Sequence, residues 1–213
     1  MDPYVSEEEQ VEAIKKWLKT NGGAIITGIA IGIAAILGWQ YWNTYQLNKA
    51  EQASIRFDAL SHAVEADDRA TARQQAESLM DDYADTTYAA LSALMLAKFA
   101  TQENDNKSAI DYLQWVLKNT NQDEIKTITR LRLARVFIAE KRLDEAEALL
   151  QQISDPNFTA ELEELQGDFY LARNEPTKSR SAYEAARTAS GNNSAGTFLD
   201  MKLDNLPAAS PQQ

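Results

Sequence analysis

Few residues in this chain could carry covalent or acid–base chemistry. His62 is the one histidine, and there is no cysteine. A histidine-activated nucleophile needs the imidazole held against a hydroxyl or thiol by a local motif. No such motif accompanies His62, which sits inside a helical run. Carboxylates cluster at Asp81 and Asp82 and at Glu161, Glu163 and Glu164. A hard divalent cation needs such groups gathered by a loop or a converging cage. Here they fall on helical faces and read as solvated surface. There is no glycine-rich phosphate loop. The expectation is therefore no catalytic residue, no metal and no cofactor: a binding protein and not an enzyme.

The elements that would present a binding surface fall into two parts. The whole chain has 213 residues and a formal net charge of -11. That balance argues against nucleic acid, which needs clustered Lys and Arg against phosphate. Between Lys19 and Lys49 no residue is charged. Ala24 to Trp42 would rise about 28 Å as a helix, close to the roughly 30 Å hydrocarbon core of a bilayer. Trp39, Tyr41, Trp42 and Tyr45 close the stretch as an interfacial aromatic belt would, with Trp17 on the other side. A cleaved export signal starts basic and ends in small residues. This one starts acidic (Asp2, Glu7, Glu8, Glu9, Glu12) and ends in WQYWNTY, so it reads as a retained anchor. Lys15, Lys16 and Lys19 precede the span, against Lys49 and Arg56 after it. That bias puts the N-terminus in the cytoplasm and the C-terminal domain in the periplasm.

Within residues 1–21, Ser6 to Glu9 fits a capping box, and Val11, Ile14 and Leu18 follow at helical spacing. Asn21-Gly22-Gly23 is expected to break this short amphipathic helix before the span of residues 22–45. In the span, Ala24, Gly28 and Gly32 recur every four residues and share a face, the last two as a G-x-x-x-G pair. Two readings stay open for that face: lipid-facing helix, or contact surface for another membrane helix.

From residue 46 to 205 the pattern is helical, punctuated by polar turns at Asp67-Asp68, Asp85-Thr86, Asn104-Asp105, Asn119-Thr120, Lys141-Arg142, Asp155-Pro156 and Asn174-Glu175. Segments starting at Leu96, Leu133 and Gln166 can be laid over one another. Each has a small residue in its first helix (Ala97, Ala134, Gly167) and another early in its second (Ala109, Ala146, Ser179). An earlier, degenerate copy has Leu60, Ala72 and Leu79. The second-helix positions 72, 109, 146 and 179 are spaced by 37, 37 and 33 residues, near the tetratricopeptide period of 34. Small residues belong where two helices cross closely. The expected fold is all-α: a transmembrane helix, then an α-solenoid of about four tetratricopeptide-like hairpins. A short capping helix within TFLDMKLDNL follows, and residues 206–213 are expected to be a disordered tail.

First helices line the concave face of such an array. The residues expected there are Phe57 and Val64, Leu91, Leu94 and Lys98, Ile128, Leu131, Arg135 and Ile138, then an acidic end at Glu161, Glu164 and Asp168 with Leu171. An apolar stripe with two basic residues suits an extended or helical peptide of mixed character.

The acidic N-terminus, the glycine-rich span and the repeats together resemble the YfgM family of bacterial inner-membrane proteins, ancillary subunits of the SecYEG translocon. The resemblance runs from SEEEQVEAIKKWLKTNGG to LARNEPTKSRSAYEAA, nearly the whole chain. It implies a single-pass inner-membrane protein associated with the translocon and with the membrane-anchored chaperone PpiD. It also implies a role in passing newly exported polypeptides to periplasmic chaperones. The family brings no catalytic motif. The competing reading is a tetratricopeptide scaffold for cell-envelope assembly without contact to the channel.

Overall fold

The computed structural model describes residues 7–191 and 195–207. Ser6 of the expected capping box, residues 192–194 and residues 208–213 of the expected tail lie outside them. Every regular element among the described residues is helical: α1 (Glu7–Glu65), α2 (Arg69–Asp82), α3 (Thr87–Gln102), α4 (Asn106–Asn119), α5 (Asp123–Ala139), α6 (Leu143–Leu150), a 3-10 turn (Pro156–Phe158), α7 (Thr159–Ala172), α8 (Pro176–Ser190) and α9 (Ala195–Asp204). The chain forms two compact units, one ending at Glu51 and one starting at Gln52.

In the first unit the expected break at Asn21-Gly22-Gly23 does not occur; the residues are helical throughout. Glycine weakens a helix by about 1 kcal/mol relative to alanine but does not clash with it. The polar side chains here fold back onto the helix. Thr20 Oγ1 donates to the Lys16 carbonyl at 2.9 Å, and Asn21 Nδ2 donates to the Trp17 carbonyl at 3.0 Å. In hydrocarbon, moreover, a helix satisfies every backbone group where a break would not. Ile26, Ile29, Ile36, Leu37 and Trp39 are all exposed, as lipid-facing side chains are.

The second unit is four antiparallel hairpins: the end of α1 with α2, α3 with α4, α5 with α6, and α7 with α8. Each first helix ends on one residue in left-handed backbone: Asp67, Asn104, Lys141 and Asn174, with φ between 56° and 61°. The next N–H reaches back five residues: Asp68 to Ala63, Asp105 to Ala100, Arg142 to Phe137 and Glu175 to Tyr170, at 2.8–2.9 Å. The left-handed residue's own N–H reaches back three, as Asn104 does to Thr101 and Lys141 to Ile138. This pair of bonds closes the helix with a Schellman motif. Asp68 and Asp105 then cap the following helices, accepting from the Thr71 and Ser108 amides.

Around this turn the spacing is constant. The left-handed residue follows positions 60, 97, 134 and 167 by seven residues and precedes 72, 109, 146 and 179 by five. Residues 60 and 76, 97 and 113, 134 and 150, and 167 and 183 are thus equivalent pairs across successive hairpins. Their sizes are complementary: Leu60 with Ala76, Ala97 with Leu113, Ala134 with Leu150, Gly167 with Tyr183. All are buried. The bulk changes side once, at the first hairpin, and its sum is kept.

One apolar core runs from Ala53 through Phe169, and a second cluster joins Tyr183 and Ala186 to Leu199, Leu203 and Leu206. α9 therefore covers the last hairpin with Leu199 and Leu203, while Phe198 and Met201 are exposed. Leu206, expected as tail, is buried and belongs to this cap.

Candidate functional site

An apolar cleft of about 500 Å³ lies between the second and third hairpins. α3 supplies Leu94, Ala97 and Lys98, α5 supplies Arg132, Arg135 and Val136, and Leu113 of α4 forms the floor. The volume falls within the range of ordinary ligand sites. Ala97 is there because its helix crosses α4 closely; its lack of bulk leaves space above the floor. Arg132 and Arg135 are three residues apart and so share one side of α5.

The walls are apolar and the cations at the rim stand alone. Among the described residues neither Lys98 nor Arg132 nor Arg135 has an ion-pair partner. Six of the eight other arginines are ion-paired: Arg56 with Asp82, Arg69 and Arg73 with Glu103, Arg142 with Glu145, Arg173 with Glu147 and Glu175, and Arg187 with Asp200. Arg132 keeps much of its surface in water, yet partial burial against the cleft wall lowers its pKa from the ordinary value. The Arg135 charge adds to that shift. It remains a cation, because guanidinium does not lose its proton in this range. The polar rim is otherwise self-satisfied: Gln102 accepts from Arg69 at 3.1 Å, and Asn106 donates to Glu140.

The residues expected along the groove divide. Leu94, Lys98 and Arg135 line the cleft together. Leu91 and Leu171 are exposed outside it, and Ile128 is half-buried. Leu131 is buried, and Ile138 and Val64 pack on the core. Phe57 packs on the core and meets Tyr88 with ring centroids 5.6 Å apart. Of the acidic end, Glu161 is exposed. Asp168 and Glu164 are engaged within the domain: Lys202 Nζ of α9 donates to Asp168 at 2.7 Å and to Glu164 at 2.8 Å. Tyr183 Oη adds a 2.6 Å bond to Asp168. These two carboxylates hold the cap and do not form an open acidic surface. Arg132 was not anticipated. Its signal was the i,i+3 spacing to Arg135, masked by the neighbouring Leu131.

His62 is exposed, with Glu65 3.6 Å away. Asp82 is tied to Arg56 at 2.8 Å. Among the described residues no three His, Asp or Glu side chains converge. In the first unit, Ala24, Gly28 and Gly32 are exposed, and a methyl built on either glycine meets nothing within 4 Å.

Stacked hairpins with a cationic apolar cleft, in a chain that also carries one helix long and apolar enough to cross a membrane, define a tetratricopeptide-like binding protein with a membrane-length helix. The model of the tetratricopeptide repeat-like domain family matches residues 15–208. The chain is 32% identical over 206 residues to the ancillary SecYEG translocon subunit of Escherichia coli K12, covering 97% of this chain and 99% of that one. The protein of the same name from Haemophilus influenzae is 31% identical over 202 residues, covering 95% and 98%. That of Neisseria gonorrhoeae is 29% identical over 213, covering 97% and 100%. No solved structure matches the chain. The chain belongs to the family of ancillary SecYEG translocon subunits, the YfgM family.

Proposed function

We propose that the chain is a single-pass inner-membrane adaptor of the SecYEG translocon. Its repeat domain lies in the periplasm and passes exported polypeptides to periplasmic chaperones, among them a membrane-anchored chaperone of the PpiD type. The observation that carries this reading is the cleft: an apolar trough with uncompensated charge, in a chain whose relatives are named translocon subunits. Such a trough suits transient capture of peptide segments, because apolar contact is tolerant of sequence. The lysines before the span support a cytoplasmic N-terminus. Ala24, Gly28 and Gly32 would let a membrane helix of the translocon or of the chaperone approach closely.

Photocrosslinkers placed at Leu94, Lys98 and Arg135, and in the span at Gly28, test the reading in intact membranes. Capture of translocon subunits, a membrane-anchored chaperone or exported chains supports it. Capture of none of these refutes it and leaves the envelope-scaffold role. Gly28→Leu with Gly32→Leu is expected to preserve insertion and to reduce co-purification of the membrane partner; unchanged co-purification rejects the glycine face as a contact.

A further inference from the structure

The cleft's charge pattern identifies the chemistry of its occupant. Of ten arginines in the sequence, six are ion-paired among the described residues, and three of the remaining four (Arg130, Arg132, Arg135) stand on α5. The chain has eleven more acidic than basic groups, so counterions for α5 would have been easy to supply. Two of these arginines, with Lys98 opposite, face the apolar trough floored by Leu113. Partial burial strips water from the Arg132 charge, and repulsion from Arg135 adds to that penalty. An incoming carboxylate relieves both penalties, and guanidinium–carboxylate pairs are among the stronger charge-assisted bonds.

The geometry points to a specific ligand class: an internal peptide segment in which Asp or Glu residues flank an apolar anchor. The anchor would enter between Leu94, Leu113 and Val136, and the carboxylates would pair with Lys98, Arg132 and Arg135. Three cations spread over two helices favour several side-chain carboxylates over a single chain terminus. This rests on the adaptor reading and adds the selectivity that reading lacks.

The test uses the full-length chain in detergent micelles and fluorescent synthetic peptides of one length. One peptide carries a leucine flanked by glutamates, and a second has those glutamates replaced by glutamine. Both have amidated C-termini, and a third is the glutamine peptide with a free C-terminus. The glutamate peptide is expected to bind at least about tenfold tighter than either of the others, and to weaken with salt. Arg132→Gln with Arg135→Gln should remove that preference, while Arg130→Gln should keep it. Both side chains are exposed, and circular dichroism checks that the helices remain. Equal binding of the three peptides, a preference for the free terminus, or a preference that survives the double substitution overturns the inference. Co-purification of translocon subunits with the double variant is scored separately. Its loss with wild-type protein as well would fail the adaptor reading; its presence leaves that reading intact whatever the peptides show.

Discussion

Replacing Gly167 with alanine probes the size rule at the helix crossings most sharply. A methyl group at Gly167 would lie 2.2 Å from Cε1, 2.3 Å from Cδ1 and 2.9 Å from Cζ of Tyr183. Ordinary contact begins near 3.4 Å, so the ring must retreat by about 1.2 Å. It has nowhere to go. The ring is 1% exposed, its hydroxyl is bound to Asp168 at 2.6 Å, and Lys202 Nζ stands 5.3 Å from its centroid. The backbones are pinned as well, since Ser179 Oγ donates to the Gly167 carbonyl at 2.8 Å. Overpacking of this kind costs about 3 kcal/mol at its upper end. The better helix propensity of alanine returns about 1 kcal/mol. The net loss is about 2 kcal/mol, or roughly 4–8 °C in Tm for a domain of this size. Helical circular dichroism during urea and thermal unfolding of the full chain reads it. The double variant Gly167→Ala, Tyr183→Leu recreates the alanine–leucine pair of the middle hairpins and should be more stable than the sum of the single changes predicts. An alanine variant as stable as the parent, or additivity in the double variant, would refute the size rule.

Three further outcomes follow from the turns and the cap. Lys141 holds φ at 60°, so Lys141→Gly should stabilise by roughly 0.5–1 kcal/mol in urea titrations, by removing left-handed strain from a side-chain-bearing residue. Burial, reinforced by Asp168, raises the Tyr183 pKa well above its ordinary value. The unfolded phenol therefore ionises first, and the stability Tyr183 contributes is full below about pH 10 and is lost as pH climbs above it. Tyr183→Phe should flatten that alkaline decline in the unfolding midpoint. The capping bonds from Thr71 and Ser108 hold the Asp68 and Asp105 carboxyls below the ordinary carboxylate range. Their contribution is present above about pH 4 and fades as pH falls through the lowered values, a decline that Asp68→Asn with Asp105→Asn should reduce.

Much of the fold was legible in single residues. Pairs such as Asn104-Asp105 and Asn174-Glu175 mark turns because few side chains tolerate left-handed backbone or cap a helix. The small residues at 97, 109, 134, 146, 167 and 179 mark crossings because bulk there separates backbones. What escaped depends on angle or distance in sequence. One residue is 100° around a helix, enough to put Leu131 inside and Arg132 at the cleft. Asp168 read as open surface because its partner, Lys202, comes 34 residues later on the cap. Gly22 and Gly23 read as a stop, although glycine lowers helix stability without forbidding the helix.

The fixed twelve-residue interval across each hairpin contrasts with the joints between hairpins. From second-helix to next first-helix crossing residue the chain takes 25 residues, 25 again, then 21 (72 to 97, 109 to 134, 146 to 167). The shortfall of four, about one helical turn, coincides with the eight-residue α6, after which α7 packs on both α5 and α6. The cleft sits at a joint of the longer kind. Width and pitch of the groove are thus adjustable one turn at a time, by lengthening or trimming the joints. The shape of the groove can change in this way without altering any crossing on which the fold's stability depends.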